Sequence, residues 1–280
     1  MSTSWRPLSG VDPTKPNVAR TYDYWLGGTH NFVADRELGE RMETLDPCVP
    51  AAARANRANR AFLGRAVRFL AAECGIRQFL DLGSGIPTAG SVHEVAQQAA
   101  PGSRVVYVDH DAAAVALSRD LLAGNDLAGV IQADVRRPEE ILRHPRTRGL
   151  IDLTEPVAIL FVAILHFVLD SENPYRIVGR YRDAVPPGSY LVISHVTSQN
   201  SPQLASSIRR LYTDRAADAQ ARSREEIARL FGGWALVEPG LRYAPEWRPD
   251  AHGDTLAHPE RLWFLVGVAR KPGRSDGGPA

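Results

Sequence analysis

The apolar positions of the chain change their period along its length. From Ala51 to Cys74 they recur at helical spacing. Ala58, Phe62, Ala66, Phe69 and Leu70 share one face, arginines occupy the other, and Gly75 ends the run. From Gln78 onward, short apolar runs alternate with helical segments. Gln78–Leu82, Arg104–Val108, Val130–Ala133, Pro156–Val162 and Tyr190–Ser194 read as strands, most of them apolar throughout, as when both faces of a sheet are covered. Between them lie recognisable helix starts. Ser91 with Glu94 forms a capping box for a helix to about Ala100, and Asp111 caps one through Leu122 that Gly124-Asn125 closes. Pro138–Arg143 is a short helix, and Asn173-Pro174 opens one through Ala184.

Further helices are expected around Pro202–Ala219 and from the capping pair Ser223 and Glu226. Two strands then follow without a helix between them, Trp234–Glu238 and Trp263–Ala269, which predicts an antiparallel pair at the sheet edge. The alternation from 78 to 195 predicts an open, mostly parallel α/β sheet of seven strands with helices on both faces. Residues 1–20, with Pro7, Pro13 and Pro16, read as an irregular arm. Tyr22, Tyr24 and Trp25 lead to a turn at Gly27-Gly28 and a helix from about Phe32 to Leu45. The expected organisation is an N-terminal arm and helical cap (1–74), an α/β core (75–270) and a disordered tail (271–280).

Composition narrows the function. The 280 residues are 44% hydrophobic and 23% charged, the balance of a globular chain with a sizeable core. A formal net charge of +1 argues against holding nucleic acid or an anionic membrane by bulk charge. Lys15 and Lys271 are the only lysines, so the basic residues are almost all arginine, first of all a compositional bias. Cys48 and Cys74 form neither a disulfide framework nor a metal-ligand spacing, which fits a reducing, cytoplasmic setting. Met1–Gly10 has no apolar stretch of the signal-peptide kind. The longest apolar run, Val157–Leu169, is interrupted by His166 and is shorter than the ~20 residues that span a bilayer.

The informative constellation is Asp81-Leu82-Gly83-Ser84-Gly85, placed between the first strand and a helix. A glycine turn there lets backbone approach a nucleotide-like ligand closely. The dinucleotide fingerprint is incomplete, because Pro87 and Thr88 stand where its third glycine is expected. A structural turn explains the two glycines equally well by themselves. Two further strand ends add weight. Val108-Asp109 closes the second strand, where a carboxylate can accept ribose hydroxyls, and Ala133-Asp134 closes the third, where one can accept an exocyclic amine. Taken singly, each aspartate can equally well be a strand end or a helix cap.

Asp81-Leu82-Gly83-Ser84-Gly85, Val108-Asp109 and Gln132-Ala133-Asp134 together resemble the Rossmann-like, class I S-adenosylmethionine-dependent methyltransferases over about residues 78–270. Val18-Ala19-Arg20-Thr21-Tyr22-Asp23-Tyr24-Trp25-Leu26-Gly27-Gly28, Asn31-Phe32, Ala34-Asp35-Arg36 and Asn59-Arg60-Ala61-Phe62-Leu63 are similar to one bacterial family of S-adenosyl methyltransferases, long grouped as a domain of unknown function. That resemblance spans nearly the whole chain. It implies the cofactor S-adenosylmethionine, with Asp81 and the backbone of Gly83 and Gly85 at its methionine end and Ser84 in the same loop. It also implies Asp109, beside His110, on the ribose, and Asp134 with Val135 flanking the adenine. Pro87 departs from the family loop and removes one N–H donor.

Methyl transfer from a sulfonium needs alignment and exclusion of water, and a base where the nucleophile starts protonated. His166 after the fourth strand and His195 closing the fifth are the candidate bases, with a capping or packed histidine as the plain alternative for each. Tyr22, Tyr24, Gly27, Gly28, Asn31 and Phe32 form a lid or simply a packed helix. Arg60 pairs with the cofactor carboxylate or faces solvent. No Asn/Asp-Pro-Pro-Tyr motif follows the fourth strand, no Pro-Cys nucleophile is present, and no G-x-S-x-G occurs. The expected activity is methyl transfer to a small-molecule acceptor, secondary metabolites among them. A non-catalytic protein that senses the same cofactor is the alternative, and a nicotinamide-dependent oxidoreductase a weaker one.

Overall fold

The computed structural model describes residues 11–44, 52–86, 90–199, 218–250 and 258–273. Five strands follow the expected order: β1 (Gln78–Leu82), β2 (Arg104–Asp109), β3 (Ala128–Gln132), β4 (Ala158–Val162) and β5 (Tyr190–Val196). Three more complete the sheet: β6 (Ala235–Leu236), β7 (Arg242–Tyr243) and β8 (Phe264–Arg270). The order is β3-β2-β1-β4-β5-β8-β6, with β7 also paired to β8. The first five are mutually parallel, and β8 is antiparallel to β5, β6 and β7. The strand order reverses between β1 and β4, the place where ligands bind beyond the carboxyl ends of open α/β sheets.

Each central strand sends alternate residues to opposite cores, as a two-residue period requires. Phe79, Val105, Tyr107, Ala158 and Leu160 join one cluster; Leu80, Leu82, Val106, Val108, Ile159 and Phe161 join the other. The first face is covered by α3 (Ala52–Ala72) and α4 (Val92–Ala99), with Trp25 and Met42 from α1 (Val18–Trp25) and α2 (Val33–Glu43). The second is covered by α6 (Pro138–Arg143), α7 (Pro145–Leu150), α8 (Pro174–Asp183) and α9 (Arg224–Leu230). The caps work as their residue types suggest. Asp111 accepts from Ala114 N (2.8 Å) at the start of α5 (Ala112–Leu121), Asn173 from Arg176 N (3.1 Å), and Ser223 exchanges bonds with Glu226.

Three expectations change. The sheet has eight strands rather than seven, because the stretch after β6 returns to add Arg242–Tyr243 to β8. The last two long runs pair antiparallel at the sheet edge, as expected, with β8 between β5 and β6. The segment expected to be irregular up to residue 20 begins a helix at Val18, capped by Asn17, whose side chain accepts from Arg20 N (3.1 Å). A further helix, α7, follows α6 directly, with Pro145 in its first turn. The expected helix at Pro202–Ala219 falls mostly outside the described residues. Cys48, Pro87, Thr88 and the tail from 274 lie outside them entirely.

Candidate active site

A cleft opens above the carboxyl ends of β1, β2, β4 and β5. Its walls include Gly83–Ile86, Asp109–Asp111, Val162–Ile164 and His166. The glycine turn is forced by space and by backbone. Gly83 has φ +72° and Gly85 φ +64°, both in the left-handed region that a Cβ disfavours. A Cβ on Gly83 would also collide with the Ile164 side chain. The N–H groups of Gly83 and Ser84 both donate to Val108 O (2.8 and 3.1 Å), which folds the turn against β2.

Two carboxylates face this turn. Asp109 Oδ2 accepts from Gly85 N (2.7 Å) and Oδ1 from Asp111 N (2.9 Å). Both oxygens are thereby aimed, and each keeps a lone pair for a ligand hydroxyl. Burial raises the Asp109 pKa, while the Asp111 and Gly85 N–H groups work against that rise. Asp81 is 5% exposed and receives no hydrogen bond from a described residue. Burial pushes its carboxyl up to about 7; the Arg60 guanidinium opposes the rise and the Asp109 charge adds to it. Ser84 Oγ is enclosed without a hydrogen-bond partner. His110 is exposed, with Nδ1 3.6 Å from Asp109 Oδ1.

The surroundings of His166 are different in character. His166 sits on a 3-10 turn, Leu165–Phe167, directly after β4. Neither of its ring nitrogens bonds to a described residue, and Nδ1 is completely enclosed. Phe167 (ring centroid 4.3 Å away) and Phe264 (6.1 Å) flank it. Burial, then His195 and Arg222, hold its pKa well below the ordinary histidine value. Met42, Leu63, Val196 and Trp263 line the same space.

Other expected residues lie elsewhere. His195 is fully buried and does not line the cleft: its Nε2 faces Arg222 Nη1 at 2.7 Å and its Nδ1 faces Val196 O at 2.8 Å. It is therefore not placed to reach an acceptor. Asp134 and Val135 are also not among the residues that line the cleft. The Asp134 carboxylate is clasped by Arg136 (Nη2–Oδ2 2.7 Å), and the Val135 carbonyl accepts from the Tyr181 hydroxyl (3.0 Å).

The N-terminal motif splits in two. Tyr22 lines the cleft, its hydroxyl donating to Asn56 O (3.3 Å) and accepting from Asn59 Nδ2 (3.1 Å). Tyr24 instead turns outward to Glu40. Gly27, Gly28, Asn31 and Phe32 build a loop around two buried aspartates rather than lining the cleft. Asp23 accepts from His30 N and Asn31 Nδ2, and Asp35 accepts from Phe32 N and pairs with buried Arg20 (2.8 Å). That loop holds α1 in place. Asn17 Nδ2 then donates to Asp111 Oδ2 (2.7 Å), tying α1 to the core beside Asp109. Asn17, Ala19, Asn56, Met42, Trp263 and Phe264 line the cleft but were not among the site residues proposed from the sequence. Asn17 carried the one usable signal, an Asn after Pro16 that can cap a helix.

The profile of the S-adenosyl methyltransferase family matches residues 5–272 of the chain. The chain belongs to this family. The methyltransferase is 43% identical to a protein of Thermobifida fusca YX named provisionally as a methyltransferase, with a TM-score of 0.89 over 97% of this chain and 100% of that one. It is 42% identical to a protein of the DUF574 family from Streptomyces avermitilis MA-4680, with a TM-score of 0.88 over 93% and 99%. The pyocyanin biosynthetic protein PhzM, at 19% identity and a TM-score of 0.50 over 78% of this chain and 56% of that one, shares the fold. A search of the curated proteins found no match. The methyltransferase uses S-adenosylmethionine. Its cleft fits that group: a turn in which Gly83 and Gly85 present no Cβ, a buried Asp81 carboxylate that no described residue donates to, and an oriented strand-end aspartate. None of its helices, among the described residues, is long and apolar enough to cross a membrane.

Proposed function

We propose that the methyltransferase modifies a small, uncharged molecule with an apolar body and a hydroxyl group. The observation that carries this reading is His166. It is a buried imidazole whose ring nitrogens bond to no described residue, flanked by Phe167 and Phe264 in a cleft that Trp263, Met42 and Leu63 also line. Apolar walls favour an uncharged body, and a free ring nitrogen favours one polar group that carries a proton.

In this reading Asp81 holds the ammonium of the methionine end, and Arg60 on α3 attracts its carboxylate. Gly83 and Gly85 admit the chain of the cofactor, and Asp109 accepts from the ribose hydroxyls. S-adenosylmethionine, when bound, supplies a methyl group on a sulfonium. The acceptor oxygen would take that methyl group in exchange for its proton. The hydroxyl proton passes to Nε2 of His166, the ring nitrogen that is not enclosed, and then to solvent. Asn17, Ala19 and Tyr22 of the α1 segment cover the cleft as a cap, excluding water from the sulfonium.

The test uses methyl-labelled S-adenosylmethionine and a cell extract split by size into small-molecule and macromolecular fractions. Label recovered in the small-molecule fraction, as a methyl ether, is the expected result. Label confined to the macromolecular fraction, or a product methylated on nitrogen or carbon, overturns the reading.

A further inference from the structure

Behind His166 the protein buries a charge that the cofactor site does not use. Arg222 is 0% exposed. All five of its N–H groups are spent: Nη1 meets Leu165 O (2.9 Å) and His195 Nε2 (2.7 Å), Nη2 meets Val168 O (2.7 Å) and Asp170 Oδ1 (2.8 Å), and Nε meets Asp170 Oδ1 (3.2 Å). The two carbonyls bracket the turn that carries His166. The backbone of the same segment grips that turn as well. Gln220 N donates to His166 O (2.7 Å), and Arg222 N donates to Val196 O at the end of β5 (3.1 Å). One short segment thus joins the His166 turn to the strand beside it.

We infer that Arg222 is a positioning residue for methyl transfer, locking the His166 turn to β5 and fixing the proton of His195 on Nδ1. A guanidinium only donates, so His195 Nε2 must present its lone pair to it. The remaining proton then sits on Nδ1 and is donated to Val196 O. Protonating His195 would set N–H against N–H next to a cation, and burial together with Arg222 holds its pKa down at about 3. His166 lies 5.7 Å from it, ring to ring. Among the described residues, the charged or titratable groups facing this pair are Arg222 and Asp170, and Asp170 compensates Arg222 from the open side of the turn. Both imidazoles therefore stay neutral. A neutral His166 beside a bound sulfonium avoids charge repulsion and keeps a lone pair for the acceptor's proton.

This inference rests on the acceptor reading above for its catalytic meaning, but not for its structural test. Imidazole nitrogen NMR on the unliganded protein is expected to show His195 as the Nδ1–H tautomer that does not titrate near neutrality, with His166 titrating well below the ordinary histidine range. In Arg222→Met both resonances shift and His166 titrates at higher pH. Label transfer into the small-molecule extract falls about tenfold or more, while S-adenosylhomocysteine affinity stays within roughly twofold. Arg222→Lys does not rescue transfer, because an ammonium cannot span both carbonyls and the imidazole. Where Arg222→Met does not fold, Asp170→Asn is read instead: it loosens the turn, lowers transfer and leaves the cofactor affinity unchanged. An Nε2–H tautomer of His195 in the wild type overturns the inference. So does a folded Arg222→Met protein with unshifted histidines and wild-type transfer. If the extract accepts no methyl from the wild type, the acceptor reading fails, and the NMR arm still decides the role of Arg222.

Discussion

Replacing Asp81 with asparagine probes the electrostatics of the cleft directly. Burial raises the Asp81 carboxyl to about 7 because water no longer stabilises the anion, and Asp109 nearby adds to the effect. A ligand ammonium favours the ionised form, so binding should release a proton near neutrality. With a free-state pKa of about 7, the ionised fraction falls from about three quarters at pH 7.5 to about 3% at pH 5.5. The dissociation constant for S-adenosylhomocysteine should therefore rise about 25-fold over that interval, roughly 2 kcal/mol. Calorimetry in two buffers of different ionisation heat measures both the affinity and the proton release. Asp81→Asn should bind weakly at pH 7.5, with no such dependence on pH.

The same residue carries a stability consequence of opposite sense. Its folded-state pKa lies above the ordinary 3.8, so the folded, unliganded protein holds this proton more tightly than the unfolded chain. The stability it contributes is complete below pH 3.8 and is lost as the pH rises through about 7. Above that pH the buried anion costs up to roughly 4 kcal/mol. Asp81→Asn should thus melt higher than the wild type at pH 8 without ligand, and gain less from added S-adenosylhomocysteine. A wild-type affinity that is flat from pH 7.5 to 5.5, or an Asp81→Asn protein with wild-type affinity, would refute the assignment of Asp81 to a cationic ligand group.

Other changes test separate parts of the site. Asp109→Asn should weaken S-adenosylhomocysteine binding by about 1.5–3 kcal/mol, as for a lost charge-assisted hydrogen bond, and a change under about threefold in calorimetry would argue against the ribose role. His166→Gln should lower methyl transfer into the small-molecule extract by about 100- to 10,000-fold with cofactor affinity retained; an unchanged rate rules out the base. Gly83→Ala places a Cβ at φ +72° against Ile164, and should cost roughly 2–5 kcal/mol in thermal or denaturant melting together with loss of cofactor binding. Arg20→Ala strands the buried Asp35 carboxylate and should cost about 3–5 kcal/mol. Hydrogen exchange should locate that loss in α1 and α2, and uniform protection across the two helices would contradict it.

Much of the core could be read along the chain because its signals are local. Strand periodicity, the caps Asp111, Asn173 and Ser223, and the glycine turn each depend on residues within a few positions of one another. The strand-end aspartates could be proposed for the same reason, since a strand followed by a helix places its last residue at the carboxyl edge. Asp81 and Asp109 do meet at one turn, whereas Asp134 is taken up by Arg136, a partner only two residues away whose competing claim no spacing rule weighs.

What could not be read depended on distant partners. His166 and His195 look alike in the sequence, each at the end of an apolar strand. Their difference comes from Arg222, far along the chain, which consumes the free lone pair of one and leaves the other facing the cleft. The N-terminal motif read equally as a lid of aromatics and glycines or as a packed helix. Its division into Tyr22, which lines the cleft, and a loop wrapped around Asp23 and Asp35 follows from hydrogen bonds that form only when α1 and α2 pack together. Local pattern determined the fold class and the glycine turn, and the resemblance of its motifs to a known family implied the cofactor. Tertiary packing alone decided which polar groups lose their water and which find a partner, because desolvation and hydrogen bonding depend on what lies across the fold rather than along the chain.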